Sequence, residues 1–263
     1  MRRPKSDYMI HTVRNALRVL EEFRDEAELG VTELARRLGL HKNNVFRILA
    51  TLEQQGYVEQ VGENEAYRLG VRCLELGRAY GASRSLLRLA RPVLEELVRG
   101  SGESAHIGEL RDFEVVHLDG EQGVQLVQTG LRVGRTLPAY CTALGKVMLA
   151  GVRPEDQERF DREVLAGEVL GARTPRTLTD RDKLLEHLHS VSTQGFAVDI
   201  EECERGLCCA AAPVFDASGR LVAAVSISGP AFRLPEDALQ RVAVPAVQAA
   251  AQQLSRQLGF AAA

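Results

Sequence analysis

Apolar residues recur at helical spacing through the first part of the chain and then begin to alternate. "HTVRNALRVLEEF" places Val13, Ala16, Leu17 and Leu20 on one stripe and predicts a first helix. "GVTELARRLGL" predicts a second, with Thr32 as a plausible N-cap, Glu33 in its first turn and Gly39 as its stop. A third begins near His41–Asn44, buries Val45, Ile48, Leu49 and Leu52, and ends at Gly56. "YVEQVGENEAYRLG" then alternates around a Gly-Glu-Asn turn, the pattern of a two-stranded ribbon. Three short helices and a ribbon predict an N-terminal all-α winged helix-turn-helix with a small β-wing, over residues 1–72.

"VRCLELGRAYGASRSLLRLARPVLEELV" turns helical again, loosened by Gly77 and Gly81. Pro92 sits where a new helix is expected to start. We read residues 73–88 as a linker helix and 89–263 as a second domain. "SAHIGEL", "FEVVHLDG" and "VQLVQTG" predict strands there, and the loop "RVGRTLPAYC" leads to a helix, "TALGKVMLAG". A helical stretch from Pro154 to Val191 follows, then two strands, "LCCAAAPVFD" and "RLVAAVSISGP", joined by "ASG". A helix from Pro235 to Leu258 closes the chain. Strands partly joined as hairpins, with helices between them, predict an α+β domain with an antiparallel sheet flanked by helices.

Composition fits this picture. The 263 residues are 45% hydrophobic and 26% charged, enough for two globular cores. No apolar run reaches the roughly 18 residues of a membrane span. The basic start lacks the apolar block of a signal peptide, so a cytoplasmic protein is expected. Five cysteines, an odd number without C-x-x-C spacing, argue against a disulfide scaffold or a zinc knuckle. Residues 1–80 carry 13 basic and 12 acidic side chains and the remainder 20 and 24. That asymmetry permits nucleic-acid binding by the first segment without requiring it.

Chemistry is concentrated in two places. On the third helix, Asn43, Asn44, Arg47 and Thr51 lie opposite the apolar stripe. An asparagine here has two readings. It caps the helix, or its amide bonds bidentately to adenine in a major groove. Neither asparagine has Glu or Gln three residues on, since Phe46 and Arg47 stand there, so no capping box supports the first reading. Lys42 and Arg47 add phosphate or guanine contacts, Arg68 on the wing is either a phosphate contact or, as is commoner for such an arginine, a solvated strand residue, and Thr32 joins them as a candidate. Phe46 fills an edge of the core or touches a thymine methyl, and the core reading is preferred.

In the second domain, "LVAAVSISG" places Val222, Ala224, Ser226 and Ser228 on one face, and Leu221, Ala223, Val225 and Ile227 on the other. The first face turns polar toward its end. "CTALGK" begins a helix whose first N–H groups, at Thr142 and Ala143, suit a carboxylate. It is not a phosphate-binding P-loop, because Tyr140 replaces the first glycine and Val147 follows Lys146. Lys146 is read as a surface or helix-dipole residue rather than a catalytic one.

These stretches, "VTELARRLGL", "NNVFRILATLEQQGYV", "YRLGVRCLELG", "LPAYCTALGKVMLA", "GFAVDIEECERGLCCAAAPVFDASG" and "VAAVSISGP", carry a family resemblance. The chain resembles the isocitrate-lyase-regulator (IclR) family of bacterial one-component transcription factors over nearly its whole length. The resemblance implies a GAF-like effector domain and a homodimer, or dimer of dimers, on double-stranded, pseudo-palindromic operators. It also implies that Ser226 and Ser228 line a ligand pocket, joined by Asp199, Leu207 and Cys209. The family more often has small hydroxyl residues where this chain has Asn43 and Asn44. The expected effector is a small organic acid, an aromatic acid being one option. No cofactor is expected.

The competing class is a small-molecule enzyme. It would use Cys141, Cys208 or Cys209 as nucleophile, His106 or His117 as base, and Glu109 or Asp119 as orienter. A metal site on Glu186, His187 and His189 is the other candidate, on a stretch that reads as an exposed helix face. Adjacent cysteines on a strand fit small buried hydrophobes better than nucleophiles, and no catalytic or metal residues are assigned.

Overall fold

The computed structural model describes residues 9–62, 66–152, 158–160, 162, 164–165 and 170–261. The ribbon tip at Glu63 and Asn64, and parts of the stretch from Pro154 to Val191 that the sequence marks as helical, lie outside the described residues; within that stretch residues 170–180 run as a loop rather than a helix.

Helices α1 (His11–Glu21), α2 (Val31–Leu38) and α3 (Lys42–Gln54) close around Val19, Phe23, Leu34, Leu38, Val45 and Leu49. The buried face of α1 differs from the expected stripe. Val19 is buried, while Val13 and Leu17 are 53% and 56% exposed. Residues 16, 19, 20 and 23 also satisfy helical spacing, and packing against the other helices selects that arc. Gly30, which pairs in β1 (Leu29–Gly30), occupies the N-cap of α2, so Thr32 lies inside the helix rather than capping it. Gly39 ends α2 in the left-handed region, φ 64°, and turns the chain tightly into α3. Strands β2 (Val58–Val61) and β3 (Ala66–Leu69) form the ribbon, with β1 on the other side of β3.

Helix α4 (Val71–Ser83) ends at Arg84, whose backbone is extended, and α5 (Ser85–Ser101) follows. Pro92 does not start a helix; it lies inside α5. Burial of Leu87, Ala90, Val93, Leu94 and Leu97 holds the helix through the lost ladder bond. The chain divides into two compact units, residues 1–84 and 85–263.

The second unit is built on six antiparallel strands. These are β4 (Ser104–Arg111), β5 (Glu114–Glu121), β6 (Thr136–Pro138), β7 (Ala197–Ile200), β8 (Leu207–Phe215) and β9 (Leu221–Pro230), in the order β6-β5-β4-β9-β8-β7. "VQLVQTG" is not a strand: Val124, Leu126 and Val127 point outward from a loop. Strands β6 and β7, too short to show alternation, take the sheet edges instead. Helix α5 and the C-terminal α8 (Val244–Gln257) pack on the face bearing Ile107, Ala210, Val225 and Ile227. Helices α6 (Ala143–Ala150) and α7 (Arg181–Gln194) pack on the face bearing Val115, Ala211 and Ala224. The expected closing helix is interrupted. One turn, Glu236–Ala238, passes through a π-helical segment, Leu239–Ala243, before α8, where Pro245 has no N–H to give the ladder.

Candidate functional site

On α3 the N-cap is His41, in extended conformation, and no side chain closes the helix end. Asn43 and Asn44 occupy the second and third helical positions, so neither is the cap. Both amides are exposed, as are Lys42, Arg47 and Thr51 on the same surface. The Thr51 hydroxyl donates to the Arg47 carbonyl at 2.8 Å, within its own helix. Phe46 is 55% exposed, which corrects its reading as a core residue and adds it to the outward face. Thr32 is exposed on α2. Arg68 lies across the ribbon from Glu59, with Nε 2.5 Å from Oε1, and both remain half open to solvent.

In the sheet, register does the assembling. Asp199, Cys209 and Ser228 are cross-strand partners in one row, and Ala211, Ser226 and His106 in the next. Partners in register share a face, here the face toward α6. Thr142 caps α6, its Oγ1 accepting from the Gly145 N–H at 3.2 Å. The Thr142 N–H itself reaches the Ala139 carbonyl at 3.4 Å. The N–H groups left at the helix start are therefore those of Ala143 and Leu144 rather than Thr142. A Cβ on Gly145 would stand 2.2 Å from the Ala139 oxygen, so only glycine lets the helix seat this closely.

All seven residues the sequence assigns to the effector, Thr142, Ala143, Asp199, Leu207, Cys209, Ser226 and Ser228, line one small cavity with a free volume of about 30 Å³. That is room for a water molecule or two and lies below the range of small-molecule sites, so a ligand must widen it to enter. The structure adds His106, His117, Arg132, Leu137, Leu144 and Cys203. The histidines sit on strands where one polar residue among apolar ones gives no clear signal. Arg132 comes from a loop without periodicity.

Burial governs the charges. It pushes His106 down to about 3 and His117 down to about 4, so both imidazoles are neutral at pH 7. They meet edge to face at 5.5 Å. His117 Nδ1 donates to the Arg135 carbonyl at 3.3 Å, whereas His106 Nε2 is buried without a partner. Burial, helped by the Glu202 charge, pushes the Asp199 carboxyl up to about 7. Its Oδ1 accepts from the Glu202 N–H at 2.7 Å and shapes the turn after β7. Lys146, expected at the surface, is fully buried, its Nζ 2.5 Å from Glu202 Oε1. Arg132 reaches Glu204 at 2.8 Å from the cavity's edge.

The enzyme constellation assembles only in part: Cys209 lines the cavity with His106 and His117, but neither candidate orienter joins them. Cys208 faces the opposite core with α5 and α8. Asp119 is held by Arg91, and Glu109 by Arg111; neither lines the cavity with the histidines. Among the described residues, no three His, Cys, Asp or Glu side chains are grouped to hold a metal ion, and no helix is long and apolar enough to cross a membrane.

Comparison with known proteins covers both units. Residues 12–62 match the IclR helix-turn-helix domain, and residues 78–256 the bacterial transcriptional regulator IclR C-terminal domain. The chain is 36% identical over 251 residues to the HTH-type transcriptional regulator KdgR of Escherichia coli (strain K12), covering 95% of this chain and 94% of that one. It matches the crystal structure of a transcriptional regulator from Rhodococcus sp. RHA1 with a TM-score of 0.82 and 31% identity, over 95% and 98% of the two chains. An IclR homologue from Microbacterium hydrocarbonoxydans, complexed with 4-hydroxybenzoate, matches with a TM-score of 0.79 and 25% identity, over 94% and 98%.

Proposed function

The chain belongs to the IclR family of DNA-binding bacterial transcriptional regulators, and from that premise we propose that a small organic acid in the second domain sets its grip on operator DNA. The observation that carries this reading is the convergence of Ser226, Ser228, Thr142 and Asp199 on a cavity at the start of α6. The N–H groups of Ala143 and Leu144 and the guanidinium of Arg132 receive the carboxylate. The two serines and the unpartnered Nε2 of His106 bond the ligand's other polar groups. Leu137, Leu144 and Leu207 contact its apolar body. The 4-hydroxybenzoate held by the Microbacterium homologue favours an aromatic acid within this class.

On the DNA side, Asn43 and Asn44 read adenine edges, Lys42 and Arg47 contact phosphate or guanine, and Phe46 meets a thymine methyl. Thr51, Thr32 and Arg68 contact the backbone. Residues 1–72 form the DNA-binding domain, 73–88 the linker and 89–263 the effector and assembly domain. Two such helices read half-sites about 34–36 Å apart, or multiples of that, which requires a homodimer or a dimer of dimers. The protein acts in the cytoplasm, without a cofactor and without catalysis.

Calorimetric titration against a panel of carboxylates, followed by operator binding with and without the tightest of them, tests the reading. We expect micromolar binding of an acid and a roughly 5–150-fold change in operator affinity. Tight binding of only neutral or cationic compounds would overturn the effector class. Indifference to duplexes from beside its own gene, with and without ligand, would overturn the whole.

A further inference from the structure

Strand β8 leaves part of its outer edge open. Its neighbour β7 pairs with Cys208 to Ala211 only, and beyond them Ala212, Pro213 and Phe215 run beside Gln194 and Gly195 at the end of α7. Across from them stand α8 and the chain that leaves it, as far as Phe260. The space between is a cleft of about 870 Å³. Among the described residues it shares no lining side chain with the effector cavity, and its size is that of small-molecule sites.

The lining defines what fits. The rings of Phe215 and Phe260 meet at 5.2 Å with a tilt of 32°, and both stay half-buried. With Ala212, Pro213 and Ala251 they make an apolar surface that gains by being covered. On α8, Gln248, Gln252 and Arg256 follow one another at i+4 and form a polar wall. Gln248 Nε2 donates to the Gln194 carbonyl at 3.5 Å, from α8 to α7. Arg256 is exposed and is the sole charged group of the lining among the described residues, so no carboxylate there competes for its guanidinium.

A peptide strand does not suit the open edge. The Leu207 carbonyl accepts from the Glu201 N–H at 2.9 Å, so alternate residues from Leu207 onward turn their backbone groups to the β7 side. Past the end of β7 these are Pro213, which has no N–H, and Phe215, whose N–H already donates to Ser255 Oγ at 3.0 Å. An added strand finds a free donor at neither.

We propose that this cleft is a second small-molecule site, for a planar aromatic acid of two or more rings. The rings lie against Phe215, Phe260 and Pro213, while Arg256 holds the carboxylate and the Gln252 amide donates to it from one turn earlier. Such a body is far too large for the effector cavity at about 30 Å³. Strand β8 serves both places, with Leu207 and Cys209 at one and Ala212 and Phe215 at the other. The second site does not rest on what the effector cavity binds.

4-Benzoylbenzoate, a two-ring acid that cross-links on irradiation, is the probe. Titrated calorimetrically into the full-length protein it should bind, and its neutral amide should bind roughly tenfold more weakly. Irradiation of the wild type should place the label at Phe215 or in the segment after Arg241, which holds α8 and Phe260. Arg256→Gln, on an exposed helix face, should weaken binding roughly tenfold without moving the urea midpoint. Gln252→Trp should fill the cleft and abolish labelling. Arg132→Gln, in the effector cavity, should leave the affinity for the probe unchanged. The proposal is overturned if the probe does not bind, if the amide or Arg256→Gln binds as tightly as the acid and the wild type, or if the label falls beside Ser226 and Ser228. Loss of binding in Arg132→Gln would assign the probe to the effector cavity and overturn it equally.

Discussion

Asn44 directs its amide outward from the third position of α3, and the helix is capped without it. Its removal therefore tests base reading with little structural side effect. Asn44→Ala should leave the urea midpoint within experimental error. It should also erase about 1–3 kcal/mol of discrimination at one base pair, read by competition among altered operators. An unchanged base preference would assign Asn44 to solvent. Lys146 lies at the opposite extreme, since its charge meets an internal acid. Lys146→Met leaves Glu202 buried and uncompensated, and should cost about 3–5 kcal/mol in denaturant unfolding. Adding Glu202→Gln should recover most of that loss; no recovery would mean that the pair is not what holds the site. Residue type alone decided neither position: it left Asn44 between two readings and misplaced Lys146. An asparagine near a helix start suits a cap as well as a base, and a lysine after glycine in a short helix reads as solvated.

At the scale of elements, α6 carries the cavity, and its seat depends on Gly145 lying against the Ala139 backbone. Gly145→Ala should push the helix start away from Ser226 and Ser228 and weaken effector binding at least tenfold. Gly39→Ala, where a left-handed φ is strained but no atom is near, should cost about 1 kcal/mol and leave effector binding intact. Calorimetry on both variants separates a local displacement from general loss of stability. Elements with a long period were legible in the sequence: α2, α3, the ribbon, and the two long strands β8 and β9. What escaped was set by distant partners. β6 and β7 have only 3 and 4 residues and exist because neighbouring strands need edges. "VQLVQTG" alternates as a strand should, yet the sheet edge beside β5 goes to β6. The cavity was legible where alternation put Ser226 and Ser228 on one face. It was invisible where a loop delivered Arg132 and separate strands delivered His106 and His117.

For the whole molecule, buried titratable groups set the response to acid. His106, His117 and His187 have folded values pushed below the ordinary 6.5 by burial, to about 3, 4 and 4. Their contribution is complete above pH 6.5 and is lost as pH falls toward 4. Asp199 acts in the opposite sense. Raised from 3.8 to about 7, it contributes fully below pH 3.8, and that contribution is lost as pH rises through 7. Three histidines outweigh one aspartate, so urea unfolding should show stability falling from pH 6.5 to 4. Asp199→Asn removes the opposing slope, and should steepen that fall while stabilising the protein at pH 8. An acid-insensitive wild type would mean that these imidazoles are not buried.

The Lys146–Glu202 pair also restricts how this receptor can be altered. An ammonium fastened from inside the scaffold fixes the rotational phase of the helix it rides on, because a slip of one residue would present Gly145 or Val147 to the acid and strand the cation among aliphatics. Lining positions such as Leu207, Cys209 and Ser228 stay open to redesign toward new ligands, while the helix beside them keeps its register.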